Sequence, residues 1–512
     1  MKRFLAMLLV AMLVLTGSAL AEYDPHVDIT VNGTHTNSNM DYNHDELYDY
    51  ITGMFNFDYE VFPVSKDAQA EKIRVWVNGG TMPDVIGWRD VQYQEYVNYA
   101  EQGLICPLPD DWQERYPNLY EQMLGCMGEE QFSKFEVDGA FYGICHARNY
   151  RFNPVEKLVD HVSVYYRKDW AQQLGFTFDD VITISEMHDY LRACIDNDMA
   201  GNGNTIGMTE EPGRLATFFT MFADVDYEKF YKTEDGYAWG FANDTVLESI
   251  KRANQWYAEG LIDQDFYLHQ SAEAISNFTS GVAAFMFGNC AASSYLGYKQ
   301  SFDEATGLNS DECVAIATIA TDDGVTRAKE VQNWWSLSIF NPDIDPEKLD
   351  RILTVMDWFS TEEGEITAFL GERGKIWDYG EDGGIVMLGE PDENGNYPNT
   401  VDLYNSYNVF RTWGLNADDF VFANPSYDRL IVDTLLNFYQ LRGNGFIIPW
   451  DVDYEFFSSD NKSNYSLDLA DEVAKMIIGD ADAVESEWHS YIDANKNIWQ
   501  PVIDDLNAEF FA

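Results

Sequence analysis

The feature that most constrains this fold is an alternation of strand-like and helix-like segments near the start of the chain. Alternating apolar residues predict a strand in VDITVN from Val27, and FDYEVFPV from Phe57 predicts a second one. Helical patterns occupy residues 45–54 and 71–80, and a short apolar strand follows at 84–86. This strand–helix–strand order is typical of an α/β sheet with parallel strands.

The segment GGTMPDVIGWRD, which ends at Asp90, leads from the second of these helices through the short strand to three unlike side chains. Its two glycines supply a left-handed stop for the helix, and Pro83 cannot continue it. Trp88, Arg89 and Asp90 follow the strand. Because ligands of open parallel sheets bind beyond the carboxyl ends of strands, these three residues are candidate ligand contacts. The alternative is a surface turn with a packed tryptophan.

The charge of the chain excludes several classes of partner. With 32 basic and 87 acidic residues, the formal net charge is 32 − 87 = −55. Nucleic acids and anionic membranes are bound through lysine and arginine, so we expect neither as a partner. An acidic polymer as ligand would need a local basic pocket.

The first 21 residues carry the pattern of a secretory signal peptide. Lys2 and Arg3 precede an apolar stretch over residues 4–15, and Ala-Leu-Ala at 19–21 offers small residues for cleavage before Glu22. No cysteine follows this stretch, so we expect no lipid anchor. No later apolar run is long enough to span a bilayer. We therefore expect an exported, extracytoplasmic protein.

Six cysteines are scattered along the sequence without a zinc-binding spacing. Export permits disulfides, and Cys106 with Cys126 is one candidate pair. We favour the interpretation that the thiols are small buried side chains. The six are Cys106, Cys126, Cys145, Cys194, Cys290 and Cys313.

Several segments follow one another in an order that resembles a known family. They are EKIRVWVNGGTMPDV, AEQGLICPLPDDW, VDGAFYGICHARNY, YYRKDWAQQLGF, NQWYAEGLIDQDF, FTSGVAAFMFGN and DPEKLDRILTVMDWFSTEEG. The family is that of the extracellular solute-binding proteins of carbohydrate ABC transporters, the maltose-binding-like family 1, in its large oligosaccharide-binding branch. The similar segments cover most of residues 27–375. No single segment is specific, and their joint order carries the resemblance.

The resemblance implies an α/β fold of the periplasmic-binding-protein-like type II, with two α/β lobes joined by a hinge, a ligand cleft and a helical C-terminal region. In this fold the chain crosses between the lobes more than once, and closure is a hinge motion. We expect the signal peptide at 1–21 to be followed by lobe 1 (22–150 plus about 315–400) and lobe 2 (about 151–314 plus about 401–512).

The function implied by the resemblance is that of a receptor rather than an enzyme. Such a protein binds a sugar or oligosaccharide in its cleft and delivers it to the permease subunits of an ABC importer, and we expect it to be a monomer. The alternatives are a secreted glycoside hydrolase and a carbohydrate sensor or adhesion protein on the same fold. Carboxylate pairs arise by chance among 87 acidic residues, so they do not favour a hydrolase. No metalloprotease, nucleophile-elbow or phosphate-loop motif indicates catalysis.

Sugars are bound by aromatic rings and planar hydrogen-bonding groups, and 15% of this chain is aromatic. The candidate ligand contacts are residues of these types at predicted strand ends, near the hinge or in the late loops. They are His35, Asn37, Trp88, Arg89, Asp90, Arg148, Tyr150, Asn289, Asn333, Trp334, Trp335 and Trp413. Trp334 and Trp335 point opposite ways on a strand, so at most one faces a ligand. A structural ion pair for Arg148 and core packing for Trp413 are the alternatives.

The segment DNDMAGNGNTIG (residues 196–207) carries oxygen donors at near-alternate positions and is the one candidate cofactor site, for Ca²⁺. The candidate ligands are Asp196, Asp198, Asn202 and Asn204. Ala200 stands at a middle ligand position, and Gly207 stands where an EF-hand loop has a bidentate glutamate. Because missing carboxylates weaken calcium affinity, we favour a polar turn after a helix.

Overall fold

A computed structural model of the 512-residue chain describes residues 23–32, 46–62, 64, 68–87, 91–148, 159–391, 397, 410–411, 413–414, 423–425 and 427–511. The strands of this part are β1 (Val27–Asn32), β2 (Phe57–Phe62), β3 (Val85–Ile86), β4 (Glu136–Val137), β5 (Ala140–Phe141), β6 (Gly143–Arg148), β7 (Val162–Arg167), β8 (Val181–Thr183), β9 (Ile206–Thr209), β10 (Phe230–Thr233), β11 (Gly236–Trp239), β12 (Ala283–Asn289), β13 (Val314–Ala320), β14 (Arg327–Lys329), β15 (Trp334–Phe340), β16 (Trp377–Tyr379), β17 (Ile385–Met387), β18 (Trp413–Gly414) and β19 (Phe446–Ile448).

The α-helices of the described part connect these strands and cover the sheets. They are Glu46–Phe55, Gln69–Gly79, Tyr93–Glu101, Trp112–Arg115, Pro117–Ser133, Lys168–Leu174, Ile184–Asp196, Pro212–Thr220, Asp244–Ala258, Ser271–Thr279, Ala292–Thr306, Ser310–Cys313, Pro346–Phe359, Glu362–Leu370, Arg429–Gly443, Val452–Glu455, Asp460–Asn464, Leu469–Ile478, Val484–Ala494 and Lys496–Phe510.

The chain divides into two compact units, each built from more than one segment. Unit 1 contains Met1–Pro154 and Gln332–Asp428, and unit 2 contains Val155–Val331 and Arg429–Ala512. This division differs from the predicted lobes in two places. Residues 315–331 lie in unit 2 because β13 pairs with β7 and β8. Part of 401–428 lies in unit 1 because β18 pairs with β6.

Unit 1 is built on a six-stranded mixed sheet with the order β18-β6-β15-β3-β1-β2. β1 runs parallel to β2 and β3, and β18 runs parallel to β6. β15 is antiparallel to both β3 and β6, so all the other strands run in one direction. The predicted alternation of β1 is present, because Ile29 and Val31 are buried while Asp28 is exposed. The predicted parallel core of β1, β2 and β3 is therefore correct.

Two local signals of unit 1 produce the backbone that the sequence predicts. The helix Gln69–Gly79 ends at Gly80, which has left-handed backbone and donates to the carbonyls of Trp76 and Val77. Asp138 and Gly139 both have positive φ, at 51° and 85°, in the turn between β4 and β5. Positive φ at both central residues is what a two-residue hairpin loop requires, and Asp-Gly adopts it at low cost.

Unit 2 is built on a five-stranded sheet with the order β8-β13-β7-β12-β9. β7 is antiparallel to its neighbours β12 and β13, while β9 and β8 run parallel to those two strands. β8, β9, β12 and β13 therefore share one direction. Helices cover this sheet through an apolar core rich in aromatic side chains, which includes Phe218, Phe219, Trp239 and Trp256.

The helix Asp244–Ala258 shows how sequence signals place one covering element of unit 2. Asn243 accepts a hydrogen bond from the amide of Thr245 and caps the first turn. The predicted apolar stripe is buried except for the half-buried Tyr257, and Gly260 follows the helix with a φ of 74°. The stripe consists of Val246, Leu247, Ile250, Ala253, Trp256 and Tyr257.

The C-terminal region is helical, as predicted, and it belongs to the core of unit 2. Asn254 donates to the carbonyls of Met476, Ile477 and Gly479 at the end of the helix Leu469–Ile478. The amide of Tyr237 on β11 donates to Asn507 at 2.7 Å. The last helices thereby complete unit 2 instead of forming a separate domain.

Over the described residues, the structure can be compared with the predictions made for the cysteines and for membrane-spanning segments. No disulfide joins the six cysteines, of which Cys145, Cys194, Cys290 and Cys313 are buried. Cys106 and Cys126 are half-buried. No helix among the described residues is long and apolar enough to cross a membrane. The predicted signal peptide, 1–21, lies outside the described residues.

Candidate functional site

The strand directions of unit 1 bring to one side of its sheet the strand ends that carry or precede the candidate ligand contacts. β1, β2, β3, β6 and β18 all end at this side, and the antiparallel β15 begins there. We call it the unit 1 strand-end edge. Asn32 closes the end of β1 by exchanging hydrogen bonds with the backbone of Gly87, at 3.2 and 2.8 Å. The ends of β1 and β3 therefore lie side by side at this edge.

Several candidate residues lie outside the described part of the chain. These are His35 and Asn37, which follow β1, Trp88, Arg89 and Asp90, which follow β3, and Tyr150, which follows β6. Trp335 and Trp413 lie on described strands, β15 and β18, but their side chains are outside the description. Their roles as ligand contacts stay predictions.

Arg148 and Asn333 meet at the unit 1 strand-end edge. The amide of Arg148, the last residue of β6, donates to the carbonyl of Asn333 at 2.7 Å. The Asn333 amide nitrogen donates to Gln131 Oε1 at 2.7 Å and to the carbonyl of Cys126 at 3.2 Å. Arg148 is 4% exposed, and neither its Nε nor the Asn333 Oδ1 has a hydrogen-bond partner within the described ranges. The Arg148 Nε donor and the Asn333 Oδ1 acceptor are thus buried and can still hydrogen-bond to other polar groups.

Trp334 lies in the core of unit 1. It is fully buried, and its ring packs edge-on against Phe135 with centroids 5.3 Å apart. A buried ring of this kind stabilises the core and has no exposed face for a sugar. Trp334 therefore has no surface that a sugar could contact.

His146 on β6 is a buried histidine that contacts the neighbouring strand. His146 is fully buried, and its Nε2 lies 2.8 Å from the Ser338 hydroxyl on the neighbouring strand β15. Burial, together with the positive charge of Arg411, lowers the pKa of His146 to about 3. His146 is therefore neutral at physiological pH, and its hydrogen bond joins two strands behind the edge.

The corresponding side of the unit 2 sheet is where β8, β9, β12 and β13 end and β7 begins. We call it the unit 2 strand-end edge. Asn289, the last residue of β12 and a candidate contact, lies there. Its Oδ1 accepts from the amide of Ala291 at 2.6 Å, and its carbonyl accepts from the Tyr165 hydroxyl at 2.7 Å. These bonds hold the turn into the next helix.

Glu210 directly follows β9 at the unit 2 strand-end edge. It is 1% exposed, and its Oε2 has no hydrogen-bond partner in the part of the chain that the structure describes. Burial raises the pKa of Glu210 well above its usual range, against the opposing charge of Arg214 at 3.8 Å. Burial thus favours the neutral form of this carboxyl group, which can both donate and accept a hydrogen bond.

A cavity of about 200 Å³ lies at the same side of unit 2. Phe287 of β12, Met221 and Ile448 supply apolar wall, and the ion pair of Asp160 with Arg442 supplies polar wall. Arg442 binds both carboxylate oxygens of Asp160, at 2.8 and 2.9 Å. The cavity is smaller than the roughly 300–1,000 Å³ of typical small-molecule sites, so it would hold only part of a larger ligand.

The candidate calcium loop is closed by hydrogen bonds among its own residues. Asp198 has a positive φ of 45°, and its two oxygens accept from the amide of Gly203 and the hydroxyl of Thr205, at 2.8 and 2.9 Å. Asn202 Oδ1 accepts from the amide of Asn204 at 2.8 Å.

Gly207 follows this loop on β9, where a β-carbon would come within 2.3 Å of the carbonyl of Leu261. The loop therefore does not fit an EF-hand, which needs a glutamate at that position. Binding of Ca²⁺ by Asp196, Asp198, Asn202 and Asn204 stays a prediction.

Sequence reasoning missed two residues at these edges. Phe62 ends β2 and is 37% exposed, which is unusual for a phenylalanine at a strand end. Glu210 follows a strand that the sequence analysis did not assign. Phe62 could have been found by the rule that selected Trp88, because it ends a predicted strand, whereas Glu210 could be found only once β9 was known.

Comparison with known proteins relates this fold to sugar-binding proteins. No protein-family model and no curated protein matches the sequence. The alginate-binding protein AlgQ2, in a crystal structure without calcium ion, has a TM-score of 0.70 at 14% identity, over 96% of this chain and 99% of that chain. The S. pneumoniae ABC-transporter substrate-binding protein FusA in complex with kestose has a TM-score of 0.69 at 16% identity, over 94% and 98%.

A FusA EF-hand mutant in complex with fructo-nystose is similar to the same extent, with a TM-score of 0.68 at 16% identity over 94% of this chain and 97% of that chain. Sequence identities this low show the fold alone. The chain has the two-lobe α/β fold of solute-binding proteins, which confirms the predicted fold class. The similar structures named here are those of binding proteins.

Proposed function

We propose that this protein is the extracytoplasmic substrate-binding protein of an ABC importer, which binds an oligosaccharide and delivers it to a membrane permease. The observation that carries the proposal is the pair of buried polar atoms, Arg148 Nε and Asn333 Oδ1, that stay unsatisfied within the described chain at the unit 1 strand-end edge. The shared fold with sugar-binding proteins of ABC transporters supports the same role.

The polar chemistry of the unit 1 strand-end edge is suited to a sugar. The guanidinium of Arg148 and the amide of Asn333 can hydrogen-bond hydroxyl groups, and Phe62 offers a ring for stacking on a sugar face. The net charge of −55 repels a polyanion. We therefore expect neutral oligosaccharides to bind more tightly than uronic-acid oligomers of the same length.

The proposal is tested by calorimetric titration of the purified protein with a panel of neutral and uronate oligosaccharides, followed by tryptophan fluorescence. Phe62→Ala and Trp88→Ala should weaken binding about tenfold each, since a lost stacking contact costs on the order of 1 kcal/mol. Tyr267→Ala is the matched control, because Tyr267 is 44% exposed on a short helical turn of unit 2 and should not change affinity.

Three outcomes would contradict the proposal in different ways. Binding of no saccharide at all would exclude a sugar receptor. Release of shorter sugars by the pure protein would favour the glycoside hydrolase. Normal uptake of the bound sugar by cells that lack the gene would remove the transport role and favour a sensor.

Mass analysis of the exported protein should find Glu22 at its amino terminus.

A further inference from the structure

A cluster of three metal-ligating side chains lies at the start of β1 and β2, at the opposite end of these strands from the proposed sugar contacts. His26 immediately precedes β1, and the parallel register pairs Asp28 with Asp58. The His26 Nε2 atom lies 3.6 Å from Asp28 Oδ1 and 3.3 Å from Asp58 Oδ2. The ligating atoms of all three residues lie within 4.8 Å of one another. The cluster is therefore compact enough for a single ion.

The separations of these atoms match the geometry of a small tetrahedral ion. Zinc binds histidine nitrogen and carboxylate oxygen at about 2.0–2.2 Å, and two ligands of a tetrahedron are then roughly 3.3–3.6 Å apart. The two measured separations from His26 Nε2 are 3.6 and 3.3 Å. The distances from His26 to each aspartate therefore suit one shared ion, and the two aspartate oxygens lie within 4.8 Å of each other.

The neighbours of the cluster orient its ligands in the way that metal sites require. The second ring nitrogen of His26, Nδ1, lies 3.3 Å from Asn56 Oδ1, so Nε2 is directed at the carboxylates. The Tyr48 hydroxyl donates to Asp58 Oδ1 at 3.1 Å, and the other oxygen, Oδ2, faces His26. Metal-bound histidines and carboxylates commonly have such outer hydrogen bonds, which fix the ring and the carboxylate rotamer.

We propose that His26, Asp28 and Asp58 form a binding site for one divalent transition-metal ion, best suited to Zn²⁺. The histidine nitrogen selects against Ca²⁺ and Mg²⁺, which prefer oxygen ligands only. The three side chains are 46%, 89% and 58% exposed, so the fourth position of the ion is open to water or to a donor from another molecule. The bound ion would link the start of β1 to β2 and relieve the repulsion between Asp28 and Asp58.

The alternative is a protonated histidine between two exposed aspartates, which is an ordinary surface ion pair. The metal site and the ion pair predict different binding of added metal ions. Metal-free full-length protein is titrated with ZnCl₂ in buffer containing excess Ca²⁺, and a second titration with Co²⁺ is followed by visible absorption. We expect one equivalent of Zn²⁺ to bind at micromolar concentration and Co²⁺ to give the intense bands of tetrahedral coordination.

Variants separate this site from other metal contacts on the protein. His26→Ala and Asp58→Asn should each weaken Zn²⁺ binding about tenfold or more and abolish the Co²⁺ bands. The matched control is His188→Ala, because His188 also lies beside carboxylates, at 2.7 Å from Glu259 and 3.4 Å from Asp189, and should leave binding unchanged.

The proposal is overturned if the unaltered protein binds no Zn²⁺ below about 1 mM. It is also overturned if His26→Ala binds Zn²⁺ as tightly as the unaltered protein. Because the three side chains are exposed, their loss should not prevent folding, and the melting temperature without metal verifies this. Any Ca²⁺ bound elsewhere would persist in the His26 variant.

Discussion

At the scale of single residues, His146 makes the stability of unit 1 depend on pH. Its pKa falls to about 3 in the folded chain because of burial and the charge of Arg411, against about 6.5 when unfolded. Between these values the unfolded chain binds one more proton than the folded chain, so stability falls as the pH decreases from 6.5 towards 3.

We predict that His146→Gln reduces this acid sensitivity. Between pH 7 and pH 4 the variant should lose roughly 3 kcal/mol less of its unfolding free energy than the unaltered protein, since 2.5 pKa units at 1.36 kcal/mol each are removed. Urea denaturation at the two pH values measures the difference. His489→Gln, at an exposed position, should behave like the unaltered protein. Equal losses in the His146 variant and the unaltered protein would contradict the assignment.

Gly207 has no room for a side chain, because another segment of unit 2 lies close to its backbone. Its added β-carbon would come within 2.3 Å of the Leu261 carbonyl and 3.1 Å of Ile195 Cδ1. We predict that Gly207→Ala destabilises the protein by about 2 kcal/mol or more, because backbone must move. Gly125→Ala is the control, since its β-carbon meets nothing within 4 Å and lies in a helix, where alanine is favoured. Equal melting temperatures would show that β9 adapts freely.

Single residues also show the limit of sequence reasoning. Arg148 was selected because it lies near the predicted hinge, and its Nε is buried without a hydrogen-bond partner among the described residues, while its role as a ligand contact stays a prediction. The burial of Trp334 could not be read from the sequence, because it depends on which side of β15 packs against Phe135. The partner comes from a segment about 200 residues earlier in the chain.

At the scale of elements, Arg442 fastens the helix Arg429–Gly443 to the start of β7. Its guanidinium donates to the carbonyls of Asp160 and Val162, both at 2.6 Å, and to both oxygens of the Asp160 carboxylate. Burial alone would raise the pKa of Asp160, but the charge and hydrogen bonds of Arg442 outweigh it, and the pKa lies below its usual value. This stabilisation is present above pH 4 and is lost as the pH falls through the folded pKa.

We predict that Arg442→Met costs about 2–4 kcal/mol, because it leaves the partly buried Asp160 carboxylate without its cation. The double variant Asp160→Asn/Arg442→Met should recover part of this loss. Arg429→Met on the same helix is the control, since its pair with Asp433 is exposed and should contribute less than about 1 kcal/mol. An unchanged melting temperature in Arg442→Met would remove the proposed role of the pair.

The elements that were predicted correctly are those with local signals. The Asp138–Gly139 turn, the capped helix Asp244–Ala258 and the alternation of β1 each depend on neighbours within a few residues. The boundary after β13 was predicted only approximately, near residue 315, because the partners of β13, β7 and β8, lie about 130–150 residues earlier. β16 and β17, which the sequence analysis did not assign, pair around a glycine-rich turn.

At the scale of the whole molecule, charge opposes folding. A net charge of −55 on 512 residues repels itself in the compact state. We predict that raising NaCl from about 0.02 M to 0.5 M increases the melting temperature, because the added ions screen this repulsion. The increase should be smaller at pH 5, where more carboxylates are protonated. A melting temperature that falls with salt would show that specific ion pairs outweigh the general repulsion.

The position of β15 in the sheet of unit 1 determines when that unit can form during synthesis. β15 separates β6 from β3, yet it is made only after the entire 155–331 segment of unit 2 has left the ribosome. A nascent chain that stops at residue 154 would hold two groups of strands with no bridge between them. Unit 1 therefore stays incomplete until late in translation. Such a delay would suit the export proposed above, because a polypeptide crosses a translocon before it folds.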